Sequence, residues 1–335
     1  MKRFTRWLLF LLLTACTRSS STAPLSPPLL VTPIASPTAM PLNTETPVPT
    51  ETPTRLPSET PSPTAVPTET PGAPPLLNFL FTGPIYPAPC NLGQTLFTDV
   101  LDYLQPANLT LGGLMGSPTE CPDDFARVLI GAGFDILGLN TEPCGEENCQ
   151  PDFELQRALR ENGILLVEGG GNAEGAAQPL MVEVQGVRVG FVGWENGALN
   201  EDALRAGIAA AREQAEVVIV LPAWGTGTDP FPDPDQLALA QVAADAGADL
   251  IVGNHPQIQA FGEVEGVPVF FGLGNFYGDE GAAGMMVRVY FRGTEFLGYE
   301  LFPTLTETEG KIRLMNEAET TALFETLQQL NEQLP

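Results

Sequence analysis

The stretch DPDQLALAQVAADAGADLIVG, residues 233–253, sets the frame for the sequence around it. Asp233 is placed to cap a helix, Pro234 to take its first position, and Asp235 with Gln236 to fill the first turn before an apolar period runs to Ala246. Gly247 ends that helix and DLIVG follows as a short apolar strand. The same kind of strand signal recurs at LLNFLF (76–81), NLTLGG (108–113), FDILGL (134–139), ILLVEG (164–169), VRVGFVG (187–193) and VVIVL (217–221), all of which read as buried strands. Amphipathic helices separate several of them. Strand, helix, strand in this order predicts a sheet with crossover helices and functional loops at the C-terminal ends of the strands. After Val267 the helices drop out: VPVFFGLG, GMMVRVYFRG and EFLGYELFP predict an antiparallel portion, followed by a last helix near Glu317 to Gln333.

These signals occupy residues 76–335, 260 residues, enough for one domain with a sizeable core. The preceding segment, Thr17 to Pro75, is Pro, Thr and Ser with few large apolar residues and a recurring T/S-E-T-P unit, so it cannot bury a core. Extended polyproline at ~3.1 Å per residue would give its 59 residues a reach of at most roughly 180 Å. A stalk is expected, or a spacer of undefined reach. The chain opens MKRFTRWLLFLLLTAC, with Lys2, Arg3 and Arg6 ahead of an apolar run too short to span a bilayer. Leu13 to Cys16 resembles the lipobox of bacterial lipoproteins, which implies lipidation at Cys16; the alternative is an ordinary cleaved signal. The expected organisation is a signal peptide at 1–15, a lipid-anchored linker at 16–75 and a domain at 76–335. The chain would then sit on the outer, extracellular face of the cytoplasmic membrane.

Within 76–335 there are 10 Lys plus Arg against 37 Asp plus Glu, a balance that repels nucleic acid and other polyanions. Four cysteines fall there, Cys90, Cys121, Cys144 and Cys149, and an even number in an exported chain argues for two disulfides. Three connectivities are open. The short spacing of Cys144 and Cys149 suggests a local clip, which leaves Cys90 with Cys121. A cysteine metal site is disfavoured because no C-x-x-C pair is present.

His255, in GNHPQIQ, is the only histidine of the chain. Imidazole just past an apolar strand suits a metal or acid–base site, but such sites need several ligands. The segment GADLIVGNHPQIQ, followed by VPVFFGLGNF, resembles the C-terminal signature of the CapA family of poly-gamma-glutamate capsule proteins, G-A-D-x-x-x-G-x-H-P-H-x-x-Q and then S-L-G-N-F. Upstream, ALRENGILLVEGGGNAEGAAQPLMVEVQGVRVGFVGW is similar to another family stretch, and the likeness runs with gaps from about Asn78 to about Pro303. The resemblance implies a calcineurin-like metallophosphatase fold, a four-layer αββα sandwich with metal ligands on loops at strand ends.

The family's ligand positions are mostly changed here. Its T-G-D reads Thr82, Gly83, Pro84; its N-L-E reads Gly113, Leu114, Met115; its N-N-H leaves Asn140 and Glu142 as imperfect substitutes; its H-W-G has Ala223 before Trp224; and its second H of H-P-H is Gln257. Metallophosphatase chemistry needs two cations held by carboxylate and imidazole. His255 is therefore expected to be a remnant, with no confident catalytic residue and no cofactor. A single divalent cation on Glu142, Asn254 and His255 is the alternative. Asp229, Asp233 and Asp235 suggest calcium in principle, but the interleaved prolines favour a turn and helix start.

Three functions are compatible with these residues. The leading one is a degenerate, lipid-anchored CapA-like domain that binds or scaffolds. The second is an active metal-dependent hydrolase or a factor in capsule polymer synthesis or release, consistent with the intact Gly272–Phe276 segment. The third is a binder of cell-envelope polysaccharide or peptidoglycan using a cleft lined by Trp194, Glu195, Trp224, Asn254 and Asn275. The partners expected are the membrane, through the lipid, and envelope polymers or polymer-synthesis proteins.

Overall fold

The computed structural model describes residues 72–86, 96–115, 121–140, 153–169, 178–195, 201–225 and 227–334. They all belong to a unit spanning Thr38–Pro335; a second unit, Met1–Pro37, lies outside the described residues, as do Cys16 and most of the Pro/Thr/Ser segment.

Two sheets form the centre. The first takes β1 (Leu76–Ile85), β2 (Leu109–Met115), β3 (Ile136–Asn140) and β4 (Leu165–Glu168) in parallel. On the other side of β1 it continues antiparallel through β11 (Ala283–Arg292), β12 (Glu295–Thr306) and β13 (Ile312–Leu314). The second sheet is built alike: β6 (Val187–Glu195), β7 (Val217–Ala223), β8 (Leu250–Val252) and β10 (Val267–Phe270) run parallel, flanked by antiparallel β5 (Leu180–Val184) and β9 (Phe261–Val264). Of the helix-free segment after Val267, β11, β12 and β13 are antiparallel as expected and lie in the first sheet, whereas VPVF forms β10, which runs parallel to β8 in the second.

Strand alternation sorts the side chains into layers. Leu77, Phe79 and Phe81 of β1 meet Val189, Phe191, Val217 and Ile219 of the facing sheet in the inter-sheet core. Leu80 points the other way, into a layer with Phe125, Leu129 and Leu155 from α2 (Pro122–Ala132) and α3 (Phe153–Glu161) and Leu104 from the short α1 (Leu101–Leu104). Val192, Val218 and Val220 pack outward against Leu204 and Ile208 of α4 (Glu201–Arg212) and Leu239 and Ala240 of α5 (Pro234–Asp245). The result is the four-layer αββα sandwich. The final helix, α6 (Glu317–Asn331), instead packs Leu327, with Leu323, Phe324 and Leu330, against the inter-sheet core.

One local device is used twice. In AGFDIL, Gly133 closes α2 in the left-handed region (φ 99°), and the Asp135 carboxylate accepts from Thr110 N at 2.8 Å while its own N–H donates to Thr110 O at 2.9 Å. In AGADLI, Gly247 (φ 99°) follows α5, and Asp249 makes the same pair with Val218 at 2.7 and 2.8 Å. Only glycine adopts that backbone cheaply, and the aspartate then fixes where each strand starts beside its neighbour. The cap of α5 is as the sequence predicts: Asp233 Oδ1 accepts from Gln236 N at 2.8 Å, and Gln236 Oε1 accepts from Asp233 N at 2.9 Å. One strand expectation needs correction: β4 is buried on one face only, through Val167. It is the edge of its sheet, and Leu165 and Glu168 are exposed.

Candidate functional site

The parallel strands of both sheets end on the same side, and the expected site residues collect there. Pro84 pairs with Gly113 across β1 and β2, and Met115 with Asn140 across β2 and β3. In the second sheet Glu195 pairs with Ala223, and Ala223 bridges to Asn254, whose N–H donates to Pro222 O at 2.7 Å. The backbones of Asn140 and Glu195 are thus placed at strand ends; their side chains, and the whole of Glu142, lie outside the described residues.

Asn254 crosses from one sheet to the other. A Cβ on Gly113 would lie 1.8 Å from Asn254 Nδ2 and 2.4 Å from its Cγ, so the carboxamide fills the space beside that glycine. Both amide atoms of Asn254 are buried without a partner among the described residues, and so is Oδ1 of Asn275. Asn275 belongs to the Gly272–Phe276 segment, which docks on the irregular end of β1. Phe276 N and Tyr277 N both donate to Pro84 O, at 2.8 and 3.1 Å, and a Cβ on Gly83 would meet Gly274 O at 1.8 Å. Phe276 stacks on Phe97 with ring centroids 5.8 Å apart. Close backbone approach and aromatic packing hold this segment against β1.

His255 is 2 % exposed. Its Nδ1 accepts from Gln257 N at 3.1 Å and lies 3.4 Å from Gln257 O. The shorter contact has the better geometry, and it assigns the proton of the neutral ring to Nε2. Burial pushes the pKa of His255 below 6.5, against the opposing pull of the Gln257 carbonyl and the Asp233 charge. The ring is therefore held neutral, with one nitrogen engaged by backbone and the other protonated.

The two tryptophans assigned to a cleft are packed instead. Trp194, 2 % exposed, points into the α4 layer beside Leu204 and Ile208. Trp224, 3 % exposed, stacks on Phe271 at 5.6 Å and donates Nε1–H to Phe271 O at 2.7 Å. Neither offers a face to a ligand. Strand alternation on β6, with Phe191 inward and Val192 outward, could have revealed the orientation of Trp194.

Gln236, expected only as a first-turn residue of α5, and Gln259 form a buried pair that the sequence does not announce. Gln236 Nε2 donates to Gln259 Oε1 at 2.7 Å, and Gln259 Nε2 donates to Asp229 O at 3.1 Å. Gln259 falls on an unspecified position of the quoted G-x-H-P-H-x-x-Q signature, whose final Q is Ala260 here, so the signature does not mark it. The pair ties the 229–233 loop to the His255 loop. The Asp229 carboxylate accepts from Phe231 N at 2.9 Å and that of Asp233 caps α5, so both are used as turn and cap groups. Cys121, at the N-cap of α2, is disulfide-bonded; Cys90, Cys144 and Cys149 lie outside the described residues, and the expected pairing with them.

The model for the bacterial capsule synthesis protein family PGA_cap matches residues 94–280, more than half of the chain. The chain belongs to this family. The capsule biosynthesis protein CapA of Bacillus anthracis is 31% identical over 179 residues, 48% of this chain and 44% of that protein. The PGA biosynthesis protein CapA of Bacillus subtilis is 43% identical over 75 residues, 22% of this chain and 20% of that protein. The chain thus spans less than half the length of either relative. A novel phosphatase from Mycoplasma pneumoniae shares the fold, with a TM-score of 0.53 over 76% of this chain and 99% of its own at 12% identity.

The calcineurin-like fold implies a pair of metal ions at these strand ends. Among the described residues the positions do not fit it. Pro84, Gly113, Met115 and Ala223 carry no suitable donor, the space at Gly113 is taken by Asn254, and no three His, Cys, Asp or Glu side chains gather.

Proposed function

We propose that this chain is a cell-envelope lipoprotein whose CapA-like domain binds or scaffolds in capsule polymer synthesis and has lost metal-dependent hydrolysis. The observation that carries the reading is the carboxamide of Asn254 lying where a side chain at position 113 would have to stand. Dinuclear hydrolysis needs carboxylate and imidazole from several strand ends at once, and the described ends present proline, glycine, methionine and alanine. The relatives' names supply the setting, capsule and PGA biosynthesis. The unpartnered amide of Asn254 and the unpartnered Oδ1 of Asn275 favour retained binding, because natural proteins leave buried polar groups unpaired chiefly where water or a ligand completes them. A neutral, hydroxyl- or amide-rich segment of envelope polymer matches that chemistry, and the anchor at Cys16 would hold the domain near it.

Metal analysis of the full-length protein tests the reading. The expected result is substoichiometric Mn, Zn and Fe, no hydrolysis of bis(p-nitrophenyl) phosphate, and neither property altered by His255→Ala. Two tightly held ions per chain, released by that substitution, would establish the active-hydrolase reading instead. The anchor is tested by the mass of the mature N-terminus, which should carry acyl groups on Cys16.

A further inference from the structure

The two sheets meet at a seam bordered by β9 on one side and the first half of β12 on the other; β13 pairs only with Thr304–Thr306, so β12 is an edge before that point. Part of the seam is sealed by α6, through Leu327 and through Asn331 Oδ1, which accepts from Phe261 N at 2.7 Å. Beside this seal lies a cavity of about 340 Å³, lined among others by Phe261, Glu263, Phe270, Phe296 and Tyr299. Its size suits a small ligand, since such pockets run to roughly 300–1,000 Å³.

Its lining is chemically pointed. Phe270 sits edge-on to both Phe261 and Tyr299, with centroids 5.0 and 5.1 Å apart, and Phe296 of β12, itself edge-on to Phe291 at 5.5 Å, adds a further ring to the lining. Among the described residues of the lining the charged one is Glu263, which is exposed. Its carboxylate and burial together hold the Tyr299 phenol protonated well above the ordinary range, with burial the larger cause. An apolar ligand would gain nothing from the Glu263 charge, and an anion would be repelled both there and by a chain of net charge −26. A cation satisfies every wall, its charge on Glu263 and its stem and ammonium edge against the rings.

We propose that this cavity binds a primary ammonium group on a short aliphatic stem, of the kind a lysine-type side chain presents. The site is separate from the strand ends discussed above and stands whether or not those hold metal.

Ligand-observed NMR titration of the full-length protein with n-pentylamine, and with 1-pentanol as the neutral isostere, tests it. The amine should bind and the alcohol should not, and affinity for the amine should fall about tenfold in Glu263→Gln and in Phe296→Ala, the scale of one lost ion pair or cation–π contact. Glu201→Gln, which removes the same charge from α4, should leave it unchanged. Absence of amine binding, equal binding of the alcohol, or an equal loss in Glu201→Gln would each overturn the proposal.

Discussion

The carboxamide of Asn254 stands in the space beside the α-carbon of Gly113, so two residues 141 positions apart in sequence share one volume between the sheets. Gly113→Asn, which restores the asparagine that the family pattern places there, should destabilise the domain by about 1–3 kcal/mol through overpacking. Asn254→Gly in the same chain should recover most of that loss. Chemical denaturation of the two single variants and the double variant gives the coupling directly. Strict additivity would mean that the two positions do not compete.

The neutral His255 ring makes stability depend on pH in a defined direction. Its folded pKa lies below 6.5, so between the two values the unfolded chain binds a proton that the native one does not. The stability that His255 contributes is complete above about pH 6.5 and declines as pH falls through that window. His255→Ala should cost on the order of 1 kcal/mol at pH 7.5, from the lost bond to Gln257 N and lost packing. That difference should shrink toward pH 5 and should not respond to added Mn or Zn. A constant difference across the range would show that the ring is not held neutral.

Much of the sandwich is legible in sequence because its signals are local. The cap at Asp233, the stop at Gly247 and the apolar runs each depend on neighbours within a turn or a strand. Strand order is not local: nothing near Met285 or Val287 states that β11 returns to lie beside β1. The loss of ligand side chains at Pro84 and Gly113 is equally plain in the sequence, whereas the filling of the space at Gly113 by Asn254 depends on the approach of two sheets. The inward packing of Trp194 and Trp224 is hidden from the sequence for the same reason. An aromatic near a strand end reads as a ligand platform until the side of the sheet it faces is known.

Trp224 gives a direct test of its packing role. Its indole N–H satisfies the buried Phe271 carbonyl at 2.7 Å, and the ring stacks on the Phe271 side chain. Trp224→Phe keeps an aromatic ring but removes the donor, which should cost about 1–3 kcal/mol because a buried acceptor is left unpaired. Thermal or denaturant unfolding reads this. A variant as stable as the parent would return Trp224 to the list of candidate ligand contacts.

At the far end of the chain, α6 is secured by a reciprocal cap that also engages the strand before it. Asn316 Oδ1 accepts from Glu319 N at 3.0 Å, and Glu319 Oε2 accepts from Asn316 N at 2.8 Å. Arg313 of β13 grips both oxygens of the same carboxylate, at 2.7 and 2.9 Å. The Arg313 hydrogen bonds first, and the Asn316 backbone second, hold the Glu319 carboxyl down at about 2. A depressed carboxyl stabilises the fold above its unfolded value near 4.5, and that contribution is lost as pH falls from there toward 2. The group is largely in solvent, so screening keeps the effect small. Asn316→Ala should cost about 1 kcal/mol at pH 7, as helix-cap losses do. Glu319→Gln should be less stable than the parent at pH 7 and converge with it by pH 2, measured by urea unfolding at both values. If the deficit of Glu319→Gln is the same at both, the ionised carboxylate is not what holds the start of α6.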